Sequence, residues 1–379
     1  MTTTPYVSHL WGLVPTAWAL RSAGHDVRIA SLPDITETVV ATGLTAMPVG
    51  PRINQAALRR RPDDDAVTGL AYLARLSGRL AGLLAHGLFA ALEAFRPDLV
   101  VSEPMDLAGP MVAQHLGVPA VHQSWGPPFA IKATRMLRHA GVPLRQRFGV
   151  AESVPEPDLV LDVCPPSYQD ERTRGNRLAA PHQSMRYVPF NGPGAVPAWL
   201  HEPAKRPRIC IAMGTGDEGL PLIPRLANAL APLGADVIVL ARPADVEPLA
   251  GQAPTARVLE WAPLKVVLAA GCDVLVHHGG PNTALTGLAY GVPQLTAVAR
   301  DSAGAGDHLV NARLLRTCGA AISLPGTTMT DADVLEAATA LLADLSYRSA
   351  AGALAAEIAA QPSPADAVKV LEDLVGDAS

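Results

Sequence analysis

Aromatic residues are scarce, at 4% of the 379-residue chain. No stretch approaches the ~20 uninterrupted apolar residues of a membrane-spanning helix, and the first residues lack the basic segment and apolar core of a secretory leader. Charge is also thin: 17% of residues are charged, the formal net charge is -5, and Lys and Arg are scattered. No basic stripe therefore suits nucleic acid. Cysteine is confined to Cys164, Cys210, Cys272 and Cys318, which stand far apart, each in or beside an apolar run. That spacing excludes a Cys-x-x-Cys metal or redox motif. Together these shortages predict a soluble cytoplasmic protein with reduced, buried thiols and a small, uncharged or acidic-tolerant partner.

What the chain does have is α/β alternation, twice over. Leu99–Glu103, Val118–His122 and Asp158–Asp162 read as buried strands separated by helical stretches, and Arg208–Met213 restarts the pattern. Proline, glycine and charge without periodicity from Tyr187 to Pro207 mark the passage between two domains. The opening is anomalous. Trp11 to Ala23 has helical spacing and His25–Ala30 reads as a strand, yet only four residues precede Pro5. Either the true start lies upstream or the first sheet is short by a strand. The polar stretch 50–66 reads as a surface loop, and the proline-rich, basic stretch 126–150 as a loop or irregular helix.

The second half is organised around Gly271–Ala299. Asp273–His277 reads as a short buried strand, His278-Gly-Gly-Pro-Asn-Thr283 as a turn, and Ala284–Tyr290 as a helix closed by Gly291. Such a turn aims backbone N–H groups above the strand and makes an anion cradle. Gly214-Thr-Gly-Asp-Glu-Gly219 is a literal G-x-G-x-x-G between strand and helix, so a nicotinamide or flavin site must be weighed. Against it, the next strand ends Leu240-Ala-Arg-Pro243 without the acid that would hold a ribose diol. A plain tight turn or a nucleotide-sugar phosphate site fits better.

Six further segments carry a resemblance. They are Trp261-Ala-Pro263 before the turn, Gly291–Leu295 after it, Asp307-His308, Tyr187–Gly192 with Pro197-Ala-Trp199, and Gln361-Pro-Ser-Pro364. With them the chain resembles the GT-B glycosyltransferases of the family-1 type, and more narrowly the actinobacterial enzymes that attach deoxysugars to polyketide natural products. The similarity runs over nearly the whole chain and is strongest between about residues 205 and 320.

The resemblance implies an α/β fold of two Rossmann-like β/α/β domains facing across a cleft. Residues 1–200 would bind the acceptor and 201–360 the nucleotide sugar, with 361–379 a helix packing back on the first domain. It implies a dTDP-sugar or other NDP-sugar donor, a hydrophobic aglycone acceptor, and no cofactor or metal. His9 matches the position of the general base, with Glu103 as its pairing acid and Asp106 as the fallback. Gly214, Thr215, His278, Gly280, Asn282 and Thr283 would hold the diphosphate, and Trp261 would stack on the base. Asp307 would bond the sugar hydroxyls beside His308, which stands where many relatives carry Gln. His277 reads as structural. The resulting expectation is an inverting transferase. A sugar-nucleotide epimerase, a nicotinamide oxidoreductase and a non-catalytic sugar-nucleotide-binding accessory protein are the rivals, and a homodimer or an activator protein stays open as partner.

Overall fold

The computed structural model describes residues 1–54, 69–151, 155–216, 219–260, 262–299 and 305–378. Most of the 50–66 stretch expected as a loop, and part of the loop before Asp307, thus lie outside the described residues. The chain divides into two units. The first comprises Met1–Cys164, Glu171–Arg186 and Gln361–Ser379, and the second Pro165–Asp170 and Tyr187–Ala360. Among the described residues no helix is long and apolar enough to cross a membrane.

In the first unit, strands Val100–Ser102, Ala120–Gln123, Leu159–Asp162 and His182–Ser184 form a parallel sheet in that order. Arg28–Ser31 and Thr45–Pro48 pair separately, also in parallel. Thr2 joins the two pieces, bridging to Ala30 on one side and Ser102 on the other. The Thr2 amide donates to the Val101 carbonyl at 2.8 Å and the Ala30 amide to the Met1 carbonyl at 2.9 Å. This corrects the expectation of a sheet short by a strand. Met1–Thr3 occupies the missing position with only two or three residues, too few to show an alternation in sequence. The order in space, counting along the chain, is then 3-2-1-4-5-6-7.

Helix Val7–Ser22 follows at once, starting before the predicted Trp11, and buries Leu10, Leu13, Val14 and Ala17. Helix Pro364–Ala378 packs on it, with His25 Nε2 3.0 Å from Glu372. The 126–150 stretch holds two short helices, Ile131–Ala140 and Val142–Arg147. They are pinned by Arg145, whose buried guanidinium donates to the Ala151 carbonyl at 2.6 Å and to Gln114.

The second unit is a six-stranded parallel sheet. Its order is Ala321–Pro325, Gln294–Val298, Val274–His277, Arg208–Ala212, Asp236–Ala241, Arg257–Glu260. Read from the other edge this is 3-2-1-4-5-6, the doubly wound arrangement. Alternation of side chains builds a core on each face. Ile209, Ile211, Val237 and Val276 belong to one cluster, and Cys210, Ile238 and Leu275 to another. Near-continuous apolar strands follow from covering both faces. Cys164, Cys210 and Cys272 are buried and in no disulfide, whereas Cys318 is only partly covered, at the end of helix Ala305–Thr317.

Candidate functional site

In a doubly wound sheet the crevice for ligands opens beyond the carboxyl ends of the strands where the order reverses, between strands 1 and 4. In the first unit those are Met1–Thr3 and Val100–Ser102. His9 follows the first and Glu103 the second. Their side chains meet: His9 Nδ1 lies 3.2 Å from Glu103 Oε1. Thr4, which the sequence reading missed, completes the set. Its hydroxyl is 2.6 Å from Glu103 Oε1 and 2.6 Å from His9 Nδ1. One hydroxyl proton serves only one acceptor, so Thr4 donates to the carboxylate and accepts from His9. These bonds assign the ring proton to Nδ1 and leave Nε2 as the basic nitrogen.

Glu103 is 1% exposed. Burial pushes its carboxyl up, but the charge of His9 and hydrogen bonds from His9 and Thr4 outweigh that, so it sits below its usual range. The backbone N–H groups of Thr4 and Met105 also donate to it, at 3.0 and 2.6 Å. Asp106 does other work: its Oδ1 accepts from the amides of Ala108 and Gly109 at 2.9 and 3.1 Å, starting helix Ala108–Leu116. Burial, and then the nearby Glu103, push its pKa up to about 6.

The His9 ring packs on Trp125, centroids 4.1 Å apart, and meets Tyr6 edge-on at 5.1 Å. Trp125 lines a cavity of about 370 Å³ that runs along this face of the sheet. Met111, Val121, Phe129, Leu137 and Val160 give it an apolar wall, and His122, Asp162, Arg177 and His182 a polar one. Burial lowers His122 to about 4, so it stays neutral. A size and lining of this kind suit a small organic ligand.

In the second unit the equivalent strands are Arg208–Ala212 and Val274–His277. Gly214 follows the first and His278 the second. An added Cβ on Gly214, whose φ is +85°, would lie 2.7 Å from His278 Cε1, and one on Gly280 2.5 Å from His278 Nε2. The imidazole is thus held between two positions that exclude any side chain. Gly279, at φ +95°, lies equally close to the backbone of His308. The His278 and His308 rings meet at 4.5 Å and 90°. Burial, then His308, lower His278 to about 3, and burial lowers His308 to about 4. Two neutral imidazoles therefore stand together at the sheet's carboxyl end.

The turn is shorter than predicted. Helix Pro281–Ala289 begins with Gly280 as its cap, because proline is preorganised for the first helical position. Asn282 and Thr283 therefore sit in the first helical turn, whose N–H groups point out of the positive end. Tyr187, another residue whose role the sequence did not show, fixes this helix: its hydroxyl bonds the Asn282 carbonyl at 3.0 Å and Thr286 Oγ1 at 3.1 Å. Asn191 reaches Thr286 as well, at 3.2 Å. Thr215 lies on the loop after Gly214, half-buried, and Asp307 precedes His308 in the first turn of helix Ala305–Thr317. Trp261 lies outside the described residues. His277 is fully buried, accepts the Gly279 N–H on Nδ1 at 3.1 Å, and is lowered to about 3 by burial. Among the described residues no group of three or more His, Cys, Asp or Glu is placed to hold a metal ion.

Two doubly wound units, each with a polar constellation at its switch point, define an NDP-sugar-dependent glycosyltransferase of the GT-B class. The chain belongs to the erythromycin biosynthesis protein CIII-like family, whose N-terminal domain matches residues 18–69 and 70–214 and whose C-terminal domain matches 225–374. It is 34% identical to the L-demethylnoviosyl transferase of Streptomyces niveus, over 96% of this chain and 95% of that one. It is 29% identical to the 3-alpha-mycarosylerythronolide B desosaminyl transferase of Saccharopolyspora erythraea, over 97% and 96%. Among solved structures, the glycosyltransferase SsfS6 of Streptomyces sp. SF2575 complexed with thymidine diphosphate matches with TM-score 0.81 and 32% identity, covering 98% of each chain.

Proposed function

We propose that the protein transfers a deoxysugar from a dTDP-sugar to a hydroxyl of a hydrophobic polyketide-type acceptor, with inversion at the anomeric carbon. The observation that carries the chemistry is the Glu103–Thr4–His9 chain: it fixes the tautomer that leaves Nε2 free of its proton, and the His9 ring packs on Trp125, which lines the cavity of the first unit. In this reading Nε2 removes the acceptor proton and the oxygen attacks the anomeric carbon directly. Glu103 stabilises the resulting imidazolium and is not itself protonated.

The departing diphosphate carries the developing negative charge. Helix Pro281–Ala289 turns its positive end, with Asn282 and Thr283, toward the carboxyl end of the sheet, where His278 stands between Gly214 and Gly280. These groups would take the charge in place of a metal ion. Thr215 would close on the phosphates, Trp261 would stack on the base, and Asp307 with His308 would meet the sugar. The similarity to a desosaminyl transferase supports a deoxysugar donor, and the thymidine diphosphate complex of SsfS6 supports the dTDP leaving group.

Thermal denaturation with thymidine diphosphate and with NADPH tests the reading. Saturation a hundredfold above Kd stabilises a binding-competent fold by about 2.7 kcal/mol, so the melting point should rise with thymidine diphosphate and stay put with NADPH. Stabilisation by NADPH alone would overturn the transferase reading in favour of an oxidoreductase.

A further inference from the structure

The cavity lined by Trp125 has a second histidine–carboxylate pair, on the two strands at one edge of the sheet. His182 and Asp162 both line it. His182 Nε2 lies 3.2 Å from the Leu178 carbonyl, an acceptor only, so that nitrogen carries the proton and Nδ1 presents a lone pair. Nδ1 is buried with no hydrogen-bond partner. It faces Asp162 Oδ2 at 3.9 Å, too long for a hydrogen bond. Asp162 is held in place by Arg177 Nη2 at 2.6 Å, the Ser124 hydroxyl at 3.3 Å and the Cys164 amide at 3.0 Å. Of the two acceptors, Asp162 Oδ2 already takes the Arg177 proton and Nδ1 takes none, so a single donor entering the cavity is directed to Nδ1. A buried acceptor left unmet is costly, which is the condition under which a polar pocket discriminates steeply.

We infer that His182 Nδ1 recognises a second hydroxyl on the acceptor molecule, alcoholic or phenolic, distinct from the one that is glycosylated. This rests on the transferase reading only for the name of the occupant. The strand bearing His182 is three places from the strand preceding Glu103, roughly 14 Å at ordinary strand spacing. The two hydroxyls therefore belong to opposite ends of a fused-ring or macrocyclic skeleton, not to neighbouring carbons.

The test uses tryptophan fluorescence titration of the full chain, without donor. The probes are 2,6-dihydroxyanthraquinone, whose hydroxyls lie at opposite ends of three fused rings, and 2-hydroxyanthraquinone. The unaltered protein should bind the dihydroxy probe about tenfold more tightly, the worth of one buried hydrogen bond. His182→Phe should abolish the preference, and His182→Gln, whose carboxamide oxygen can accept, should retain part of it. Equal affinity for the two probes, including equal failure to bind, overturns the proposal, as does a preference that survives His182→Phe. Circular dichroism shows that each variant is folded, and stabilisation by thymidine diphosphate is measured separately. Its absence in the unaltered protein would sink the transferase reading without touching the hydroxyl preference.

Discussion

Gly214 lies against the His278 imidazole so closely that a methyl group on its α-carbon would be 2.7 Å from Cε1. The contact ties the loop after one strand to the turn after another, and it accounts for a glycine where the G-x-G-x-x-G pattern alone suggested a dinucleotide. Gly214→Ala must either tilt His278 or move its own loop, and its φ of +85° adds strain of about 1–2 kcal/mol. We expect at least a tenfold loss of thymidine diphosphate affinity by calorimetry, with acceptor-probe quenching unaltered. Unchanged nucleotide affinity would remove His278 from the phosphate site.

Thr4 offers a sharper test of the proton path than His9 itself. Thr4→Val keeps the shape but deletes the hydroxyl 2.6 Å from both Glu103 and His9. The tautomer is then fixed only by the longer 3.2 Å contact to Glu103. The catalytic constant should fall by about tenfold, a fraction of the 10²–10⁴ supplied by general base catalysis, and Thr4→Ser should restore it. His9→Ala should abolish transfer. Neither change should alter thymidine diphosphate affinity, because Thr4 and His9 belong to the first unit and His278 to the second. Unchanged turnover in Thr4→Val would reduce Thr4 to a packing residue.

The two units place their chemistry at matching positions, and this explains what could be read beforehand. His9 and Gly214 follow the first strand of each sheet, Glu103 and His278 the fourth. Strand–turn–helix punctuation and the resemblance together singled out all four in the sequence. The first strand escaped because Met1–Thr3 is too short for periodicity, and it pairs only through Thr2 on both sides. Thr4 and Tyr187 escaped for a different reason. Each acts through one hydroxyl on a partner 95 or more positions away, and nothing in local spacing announces such a bond. His182 has no local signal either, because what distinguishes it is the Leu178 carbonyl accepting a hydrogen bond from its Nε2.

Tyr187→Phe should destabilise the second unit by about 0.5–1.5 kcal/mol, the net worth of one buried hydrogen bond, since the Asn282 carbonyl keeps its bond from Thr286 and Thr286 Oγ1 its bond from Asn191. Denaturant titration gives the number directly. A loss of nucleotide affinity larger than this stability loss would show that Tyr187 also aligns the helix end. If stability does not change, water replaces the hydroxyl.

The crowded histidines make the second unit sensitive to acid, and the sign is fixed by their depressed pKa values. His277 and His278 titrate near 3 and His308 near 4 when folded, against about 6.5 unfolded. Above pH 6.5 all three are neutral in both states and cost nothing. Between pH 6.5 and the folded values the unfolded chain takes up protons that the native fold refuses, so stability falls as pH falls. His308→Gln removes one of these groups and the repulsion it adds to His278. The variant should match the unaltered protein at pH 7.5 and melt higher at pH 5, with a shallower slope of stability between them. The gain at pH 5 should be on the order of 2 kcal/mol, from 1.36 kcal/mol per pKa unit over the interval below 6.5. Parallel slopes in the two proteins would mean that His308 reaches water in the folded state and titrates as an ordinary histidine.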